Sequence, residues 1–322
     1  MMQALALSLL THCATWASTR GGQNKLFILI YHQVLDAPDV MRPGEADIAS
    51  FSWQMQLLAR HFNVLPLAEA VARLQDRSLP PRAVTITFDD GYADNLRNAV
   101  PILKQQNLSA TFFIASGYLE GGRMWNDTVI EAIRNLPQPE VDLSAFGLGV
   151  MPLVSPAQRA ATARTLLKCL KHLPPEQRLA HSQALAAQAT PLPDDLMLTR
   201  AQLRELHAQG MEIGGHTVNH PILATLDKAT ATAEIAENKA YLEQLLAAPI
   251  RFFAYPNGRL GDDYLLAHRD IAKACPYQAA FSTHPGVATA ASDVWQLPRF
   301  TPWDATPLRF MLRMVWLYLK GG

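Results

Sequence analysis

Ala83-Val84-Thr85-Ile86-Thr87-Phe88-Asp89-Asp90-Gly91 joins a β-branched, apolar run to two adjacent carboxylates. Bounded by Pro81 and Gly91, the run reads as a parallel strand buried on both faces, with the acids at its C-terminal edge. That edge is where α/β proteins bind ligands and do chemistry. Outward from it the chain alternates. Strands are expected at 26–31, 211–214, 251–255 and 278–282, and helices at 48–61, 94–106 and 227–246. Phe51, Met55, Leu58 and Phe62 recur at helical intervals, and Thr199 with Gln202 forms a capping box for a further helix. Such alternation predicts an α/β fold with a mostly parallel sheet and crossover helices, closed or partly closed as a barrel.

Downstream, Gly214-Gly215-His216-Thr217-Val218-Asn219-His220 holds two imidazoles at i and i+4, the spacing that sets both on one face of a helical turn. One carboxylate with two histidines makes a donor set for a divalent metal, and a second carboxylate beside it can act as a general base. Three protein ligands leave positions open for water and substrate, the arrangement of a catalytic site.

Taken together, the two motifs resemble the paired signature of the polysaccharide deacetylases, the NodB-like carbohydrate esterases: T-F-D-D-G followed by H-(S/T)-x-x-H. Ile30-Tyr31-His32, Ala110-Thr111-Phe112-Phe113 and Phe253-Ala254-Tyr255-Pro256-Asn257-Gly258 extend the resemblance over roughly residues 26 to 300. It implies a distorted (β/α) barrel of about seven parallel strands. It also implies a metal-dependent hydrolase that removes N-acetyl groups from N-acetylhexosamine units of a polysaccharide or glycolipid precursor. Asp90, His216 and His220 would hold one divalent cation, zinc first among the expectations, and Asp89 would be the base. The Asn257 N–H would face the oxyanion, since Pro256 has no N–H. The arginine familiar before that proline is absent here, where Phe253-Ala254-Tyr255 stands. Arg299, in Leu297-Pro298-Arg299-Phe300, resembles the replacement used by exopolysaccharide-deacetylase relatives. No histidine follows Arg299, so the family's terminal acid is missing, and His284 and His32 both stand as candidates. Tyr255, Pro256 and Trp125 are expected on the substrate side, although Trp125 equally reads as a core tryptophan starting a helix. Two other readings are an amidase or deformylase of the same fold acting on a small amide, and a catalytically silent carbohydrate-binding module. The intact Asp89, Asp90, His216 and His220 argue against the second.

The 322 residues, 49% hydrophobic and 17% charged, suit one barrel-sized domain. Basic and acidic residues number 28 each, so no basic field favours nucleic acid. Cys13, Cys169 and Cys275 are odd in number and far apart; they argue against a disulfide framework and read as core residues of a protein in a reducing compartment. Residues 1–25 form an N-terminal amphipathic segment without the basic start of an export signal, interrupted by Thr11-His12. It reads as a short helix packed on a cytoplasmic domain, the alternative being export to the periplasm or cell envelope, and it is too short and polar to span a bilayer. The proline-rich stretch 127–198 is read as a helical insertion within the barrel domain, 26–304. The end, 305–322, reads as an amphipathic helix with Leu308, Met311, Leu312, Val315, Trp316 and Leu319 at helical spacing and Arg309, Arg313 and Lys320 interleaved. Such a stripe packs on a core or, less commonly, lies on a membrane surface. The expected partner is an N-acetylated glycan.

Overall fold

The computed structural model describes residues 2–21, 24–189 and 191–320. Met1, residues 321–322 and positions 22, 23 and 190, which include the outer ends of both terminal segments, lie outside the described residues. Seven parallel strands run in order around the sheet: β1 (Leu26–Tyr31), β2 (Ala83–Phe88), β3 (Thr111–Ile114), β4 (Glu212–Gly215), β5 (Phe252–Ala254), β6 (Ala279–Pro285) and β7 (Leu297–Arg299). The Phe300 N–H donates to Ile28 O at 2.8 Å and Phe300 O accepts from Ile30 N at 3.0 Å, bringing the last strand against the first. The result is a nearly closed, distorted (β/α) barrel. A two-residue strand, Asn63–Val64, pairs with Ala83 and Val84, at the end of β2 opposite to the residues that pair with β3.

Strand alternation sorts the core into two layers. Phe27, Leu29, Ile86, Phe88, Phe112 and Ile114 pack outward against Phe51 and Leu58 of α2 (Ile48–His61) and against residues of later helices. Ile28, Phe113, Phe252, Phe281 and Leu297 form the second layer, within the barrel, with Leu67, Ala70 and Leu74 of α3 (Leu67–Gln75). Register aligns Tyr31 with Phe88 and Phe88 with Phe112 on three neighbouring strands. Their rings accordingly stack, Tyr31 on Phe88 at 5.3 Å and Phe88 on Phe112 at 4.7 Å. That stack fixes the level at which the next residues, His32 and Asp89, leave the sheet.

The remaining helices are α4 (Val100–Gln105, preceded by a wider π turn at Asn95–Ala99), α5 (Trp125–Asn135), α6 (Pro156–Leu170), α7 (Pro175–Ala186), α8 (Arg200–Ala208), α9 (Lys228–Leu246), α10 (Leu266–Ala274) and α11 (Pro307–Lys320), with α1 (Met2–Thr19) at the start. The insertion holds α5, α6 and α7 around its own apolar cluster, which includes Val129, Ile133, Leu166 and Leu185. It also carries an antiparallel hairpin, Glu140–Asp142 with Val150–Pro152, that a purely helical reading does not contain. α6 starts where Ser155 and Gln158 cap each other's backbone N–H and Pro156 takes a position that needs no N–H.

Two expectations need correction. Cys13 and Cys169 are exposed and Cys275 half-buried, so none is a fully buried core residue: Cys13 and Cys169 sit on the outer faces of α1 and α6. α11 is a helix, but its buried face is Phe310, Met311, Met314 and Tyr318. Leu308, Leu312, Trp316 and Leu319 are exposed, because Tyr318 is drawn onto Phe27 at 4.4 Å and that contact sets the rotation. No helix among the described residues is long and apolar enough to cross a membrane.

Replacing Phe112 by alanine removes the end of the stack and leaves a cavity in the outer apolar layer. A loss of about 3 to 5 kcal/mol is expected, read as a lower urea midpoint at unchanged slope.

Candidate metal centre

The ladder between β1 and β2 continues one step past the strands, where Asp89 N donates to Tyr31 O at 2.9 Å. Being two residues on from Thr87, Asp89 points with it into the barrel mouth. The chain then turns sharply. Asp90 has φ +77° and Gly91 φ +93°, and the left-handed backbone at a non-glycine residue is strain typical of functional sites. The turn is held by Ala115 N donating to Asp90 O at 3.2 Å and Leu198 N to Gly91 O at 2.9 Å.

Arg299, 1% exposed, reaches Asp89 as a fork, Nη1 to Oδ1 at 2.7 Å and Nη2 to Oδ2 at 2.6 Å. Its remaining reach goes to Ser282 O at 3.0 Å and Thr87 Oγ1 at 3.3 Å. Burial alone would raise the Asp89 carboxyl, but the charge and hydrogen bonds of Arg299 outweigh it and hold the group below the ordinary carboxylate range.

His216 follows β4 directly. Its Nδ1 lies 2.7 Å from Ala254 O, and a carbonyl only accepts, so Nδ1 carries the proton and Nε2 keeps a free lone pair. Nε2 faces Asp90 Oδ1 at 3.4 Å and Asp89 Oδ2 at 3.9 Å, while His220 Nε2 lies 3.2 Å from the same Asp90 oxygen. The two histidines are not on a helical turn as their spacing suggests. They belong to a loop in which Thr217 has φ +65° and His220 φ +51°, closed by His220 N donating to Thr217 Oγ1 at 3.1 Å. The loop is gripped by α9. Glu234 accepts from Val218 N and Asn219 N, both at 2.8 Å. One turn on, buried Asn238 accepts from His216 N at 3.1 Å and shares its amide hydrogens among Ile114 O, Ser116 Oγ and Thr217 O. A Cβ on Gly215 would sit 2.6 Å from the Asn238 oxygen, so glycine is needed there for this approach. Glu234 and Asn238 were missed in sequence; their only signal is an i, i+4 polar pair on the helix that follows the motif.

Asp90, His216 and His220 bring one donor atom each to within 4.8 Å of one another. Asp90 Oδ1 is buried without a hydrogen-bond partner among the described residues, an orphaned acceptor between two nitrogen lone pairs that a cation would satisfy. The donor set fits a divalent metal. Burial lowers the His220 pKa to about 4, only partly offset by Asp90, so the ring is neutral and able to ligate at neutral pH. Burial works to raise Asp90, but His220 and His216 outweigh it and keep the carboxyl ionised.

The other expected residues divide. His32 and Asn257 line the same cleft as Asp89 and Asp90, together with Trp125. Asn257 sits at φ +58°, with its O accepting from Thr283 Oγ1 at 2.6 Å. Burial would lower the His32 pKa, but Glu45, Asp90 and Asp89 raise it more. His284 is exposed and lines a neighbouring depression with Tyr264 and Asp293, so it is not brought to the carboxylates. Tyr255 is fully buried, stacked on Tyr264 at 3.9 Å with its hydroxyl donating to Trp295 O. Pro256 is buried as well, and neither it nor Tyr255 lines the cleft. Trp125 both begins α5 and faces the cleft, and exposed Trp303 shares that cleft without having been singled out in sequence.

Residues 76–280 match the family model for polysaccharide deacetylase. YxkH of Bacillus subtilis (strain 168), whose name places it among polysaccharide deacetylases, is 23% identical over 276 residues, covering 85% of this chain and 70% of its own. Among solved structures, the deacetylase PplD of Streptococcus pyogenes superimposes with a TM-score of 0.60 at 22% identity, covering 91% of this chain and 99% of that one. IcaB from Ammonifex degensii gives a TM-score of 0.57 at 20% identity, over 91% and 97% of the two chains.

Asn238→Ala strips His216 N of one of its acceptors and releases the carbonyls that hold the loop. Affinity for zinc, titrated calorimetrically, is expected to fall about 10- to 100-fold while circular dichroism stays close to wild type.

Proposed function

The chain belongs to the polysaccharide deacetylase family, and from that premise we propose that it is a metal-dependent hydrolase removing N-acetyl groups from N-acetylhexosamine units of a polysaccharide or glycolipid precursor. The observation that carries the reading is the pairing of two neighbouring carboxylates with different duties. Asp89 is held in a guanidinium fork, whereas Asp90 turns its unpartnered oxygen to His216 and His220.

A divalent cation on Asp90, His216 and His220, zinc being the first expectation, would supply Lewis acidity toward the acetamide carbonyl and lower the pKa of water. The chain's own groups do the rest. Asp89, kept ionised by Arg299, takes the proton of the water that attacks the carbonyl carbon. Asn257 lines the cleft, and its N–H, which donates to no protein acceptor among the described residues, would receive the developing oxyanion. When the C–N bond breaks, the amine nitrogen needs a proton. His32, which lines the cleft and whose pKa is raised by Glu45 and the two aspartates, is our assignment for its donor in preference to His284. Acetate and a free amine result.

We also assign the protein to a membrane surface. α1 leaves Leu5, Leu9 and Trp16 exposed, and α11 leaves Leu308, Leu312, Trp316 and Leu319. Neither helix carries an acidic residue. The guanidinium of Arg20 lies 5.2 Å over the Trp16 ring and the Lys320 ammonium 4.4 Å over Trp316. Apolar stripes flanked by tryptophan and cations match an anionic bilayer interface.

Acetate release from N-acetylated oligosaccharides should cease with chelator and return with zinc. Asp89→Asn should lower kcat by about two to four orders of magnitude with metal content unchanged; a chelator-resistant activity, or a fully active variant, would sink the assignment. For the surface, sedimentation with vesicles of mixed anionic and neutral phospholipid should carry the protein down, and Leu9→Glu with Leu312→Glu should leave it in the supernatant. Equal partition with purely neutral vesicles would defeat that placement.

A further inference from the structure

The insertion turns a row of cations toward the reacting carboxylates. Arg164 and Lys168 of α6 and Lys171 just beyond it recur at i, i+4 and i+7, one helical face, and all three line the cleft that holds Asp89, Asp90, His216 and His220. Arg178 of α7, Arg42 and Arg259 line it as well, against three acids, Glu45, Asp89 and Asp90. The protein as a whole has a formal net charge of zero, so this excess is local. The cleft, about 840 Å³, has room for more than the sugar that reacts.

Partners separate the structural cations from the free ones. Arg42 is engaged by Asp127 at 2.7 Å and Glu131 at 3.1 Å, and Lys171 by Asp263 at 2.9 Å. Arg164, Lys168, Arg178 and Arg259 make no ion pair among the described residues. Arg178 decides the matter. It is 6% exposed, with its guanidinium 4.7 Å over the Trp125 ring and a single side-chain hydrogen bond, from Nη1 to Lys171 O at 3.2 Å. A buried guanidinium without a counter-ion is destabilising unless an anion completes it, and a planar fork with spare donors is suited to phosphate or carboxylate.

We propose that this wall binds an oxyanion carried by the substrate itself, a phosphate or carboxylate on a sugar neighbouring the one deacetylated, so that the enzyme acts on an acidic or phosphate-linked glycan in preference to a neutral one. The proposal rests on the deacetylase reading for which amide is cleaved, but the anion site stands on Arg178, Arg164 and Lys168. Trp125 beneath Arg178 would then present its ring edge to the sugar, with the cation covering one face.

The test compares three N-acetylated oligosaccharides of equal length, one neutral, one bearing a uronate and one bearing an anomeric phosphate. At low salt, kcat/KM for an anionic substrate should exceed that for the neutral one by about tenfold or more, and the advantage should shrink as salt rises. Whichever anionic arm leads identifies the group as carboxylate or phosphate. Arg164→Gln with Lys168→Gln, at exposed positions where folding is safe, should lower the anionic-to-neutral ratio several-fold, and Arg178→Gln should lower it further. Equal kcat/KM for all three substrates, or a ratio the variants do not move, would overturn the proposal and leave the deacetylase reading standing. Should none of the three release acetate, the deacetylase reading falls. Calorimetric binding of the same sugars to Asp89→Asn protein then decides the anion site alone: tighter, salt-sensitive binding of the anionic sugars supports it, and equal binding rejects it.

Discussion

Arg299 is a fully buried guanidinium in a barrel otherwise filled by Phe113, Phe252 and Phe281, and such a group persists in that setting only if its donors are met by a carboxylate in good geometry. Asp89 supplies the carboxylate and Thr87 and Ser282 take further donors. The contact therefore ties β7 to β2 and β6, at the point where the barrel closes on β1. It also fixes the chemistry. The fork engages both Asp89 oxygens and holds that carboxylate 3.9 Å from His216, so the oxygen left without a partner beside the two histidines is Asp90 Oδ1. The division of labour proposed for the two adjacent acids would thus follow from one ion pair.

Much of this was legible in the sequence because parallel strands buried on both faces leave continuous apolar runs, and Asp89, His216 and Arg299 stand at strand ends where side-chain direction is dictated by the pleat. What sequence could not give was the conformation of the loop carrying His216 and His220. Its geometry depends on left-handed residues at Thr217 and His220, and those are stabilised by Glu234 and Asn238 from a helix that reads as an ordinary Ala/Glu-rich surface element. The general acid was ambiguous for a related reason. In sequence both His32 and His284 read as following strands, but β6 runs on to Pro285 and includes exposed His284, while β1 stops at Tyr31, level with Phe88.

α11 shows a different limit. Apolar residues lie on two of its faces, so periodicity alone admits two rotations, and only the contact of Tyr318 with Phe27, together with Lys25 Nζ donating to Tyr318 O at 2.6 Å, selects one. The face left outside, with that of α1, gives the molecule an apolar side, away from which no acidic charge on either helix acts.

The insertion stands beside the cleft that holds Asp89 and Asp90, with Arg164, Lys168, Lys171 and Arg178 in its lining. Ion pairs and a hydrogen bond attach it to the barrel: Arg42 binds Asp127 and Glu131 of α5, Tyr92 donates to Asp127 at 3.1 Å, and Lys171 bridges to buried Asp263 in the loop after β5. Tyr92 lies two residues beyond Asp90, so the wall that bears Arg178 is tied to the candidate metal centre through a short, buried path. A cation held at a fixed place relative to a reacting carboxylate can do more than attract. On the proposed reading it would select which sugar of a chain is presented, because only a residue at the right distance from an anionic neighbour would bring its acetamide to Asp89.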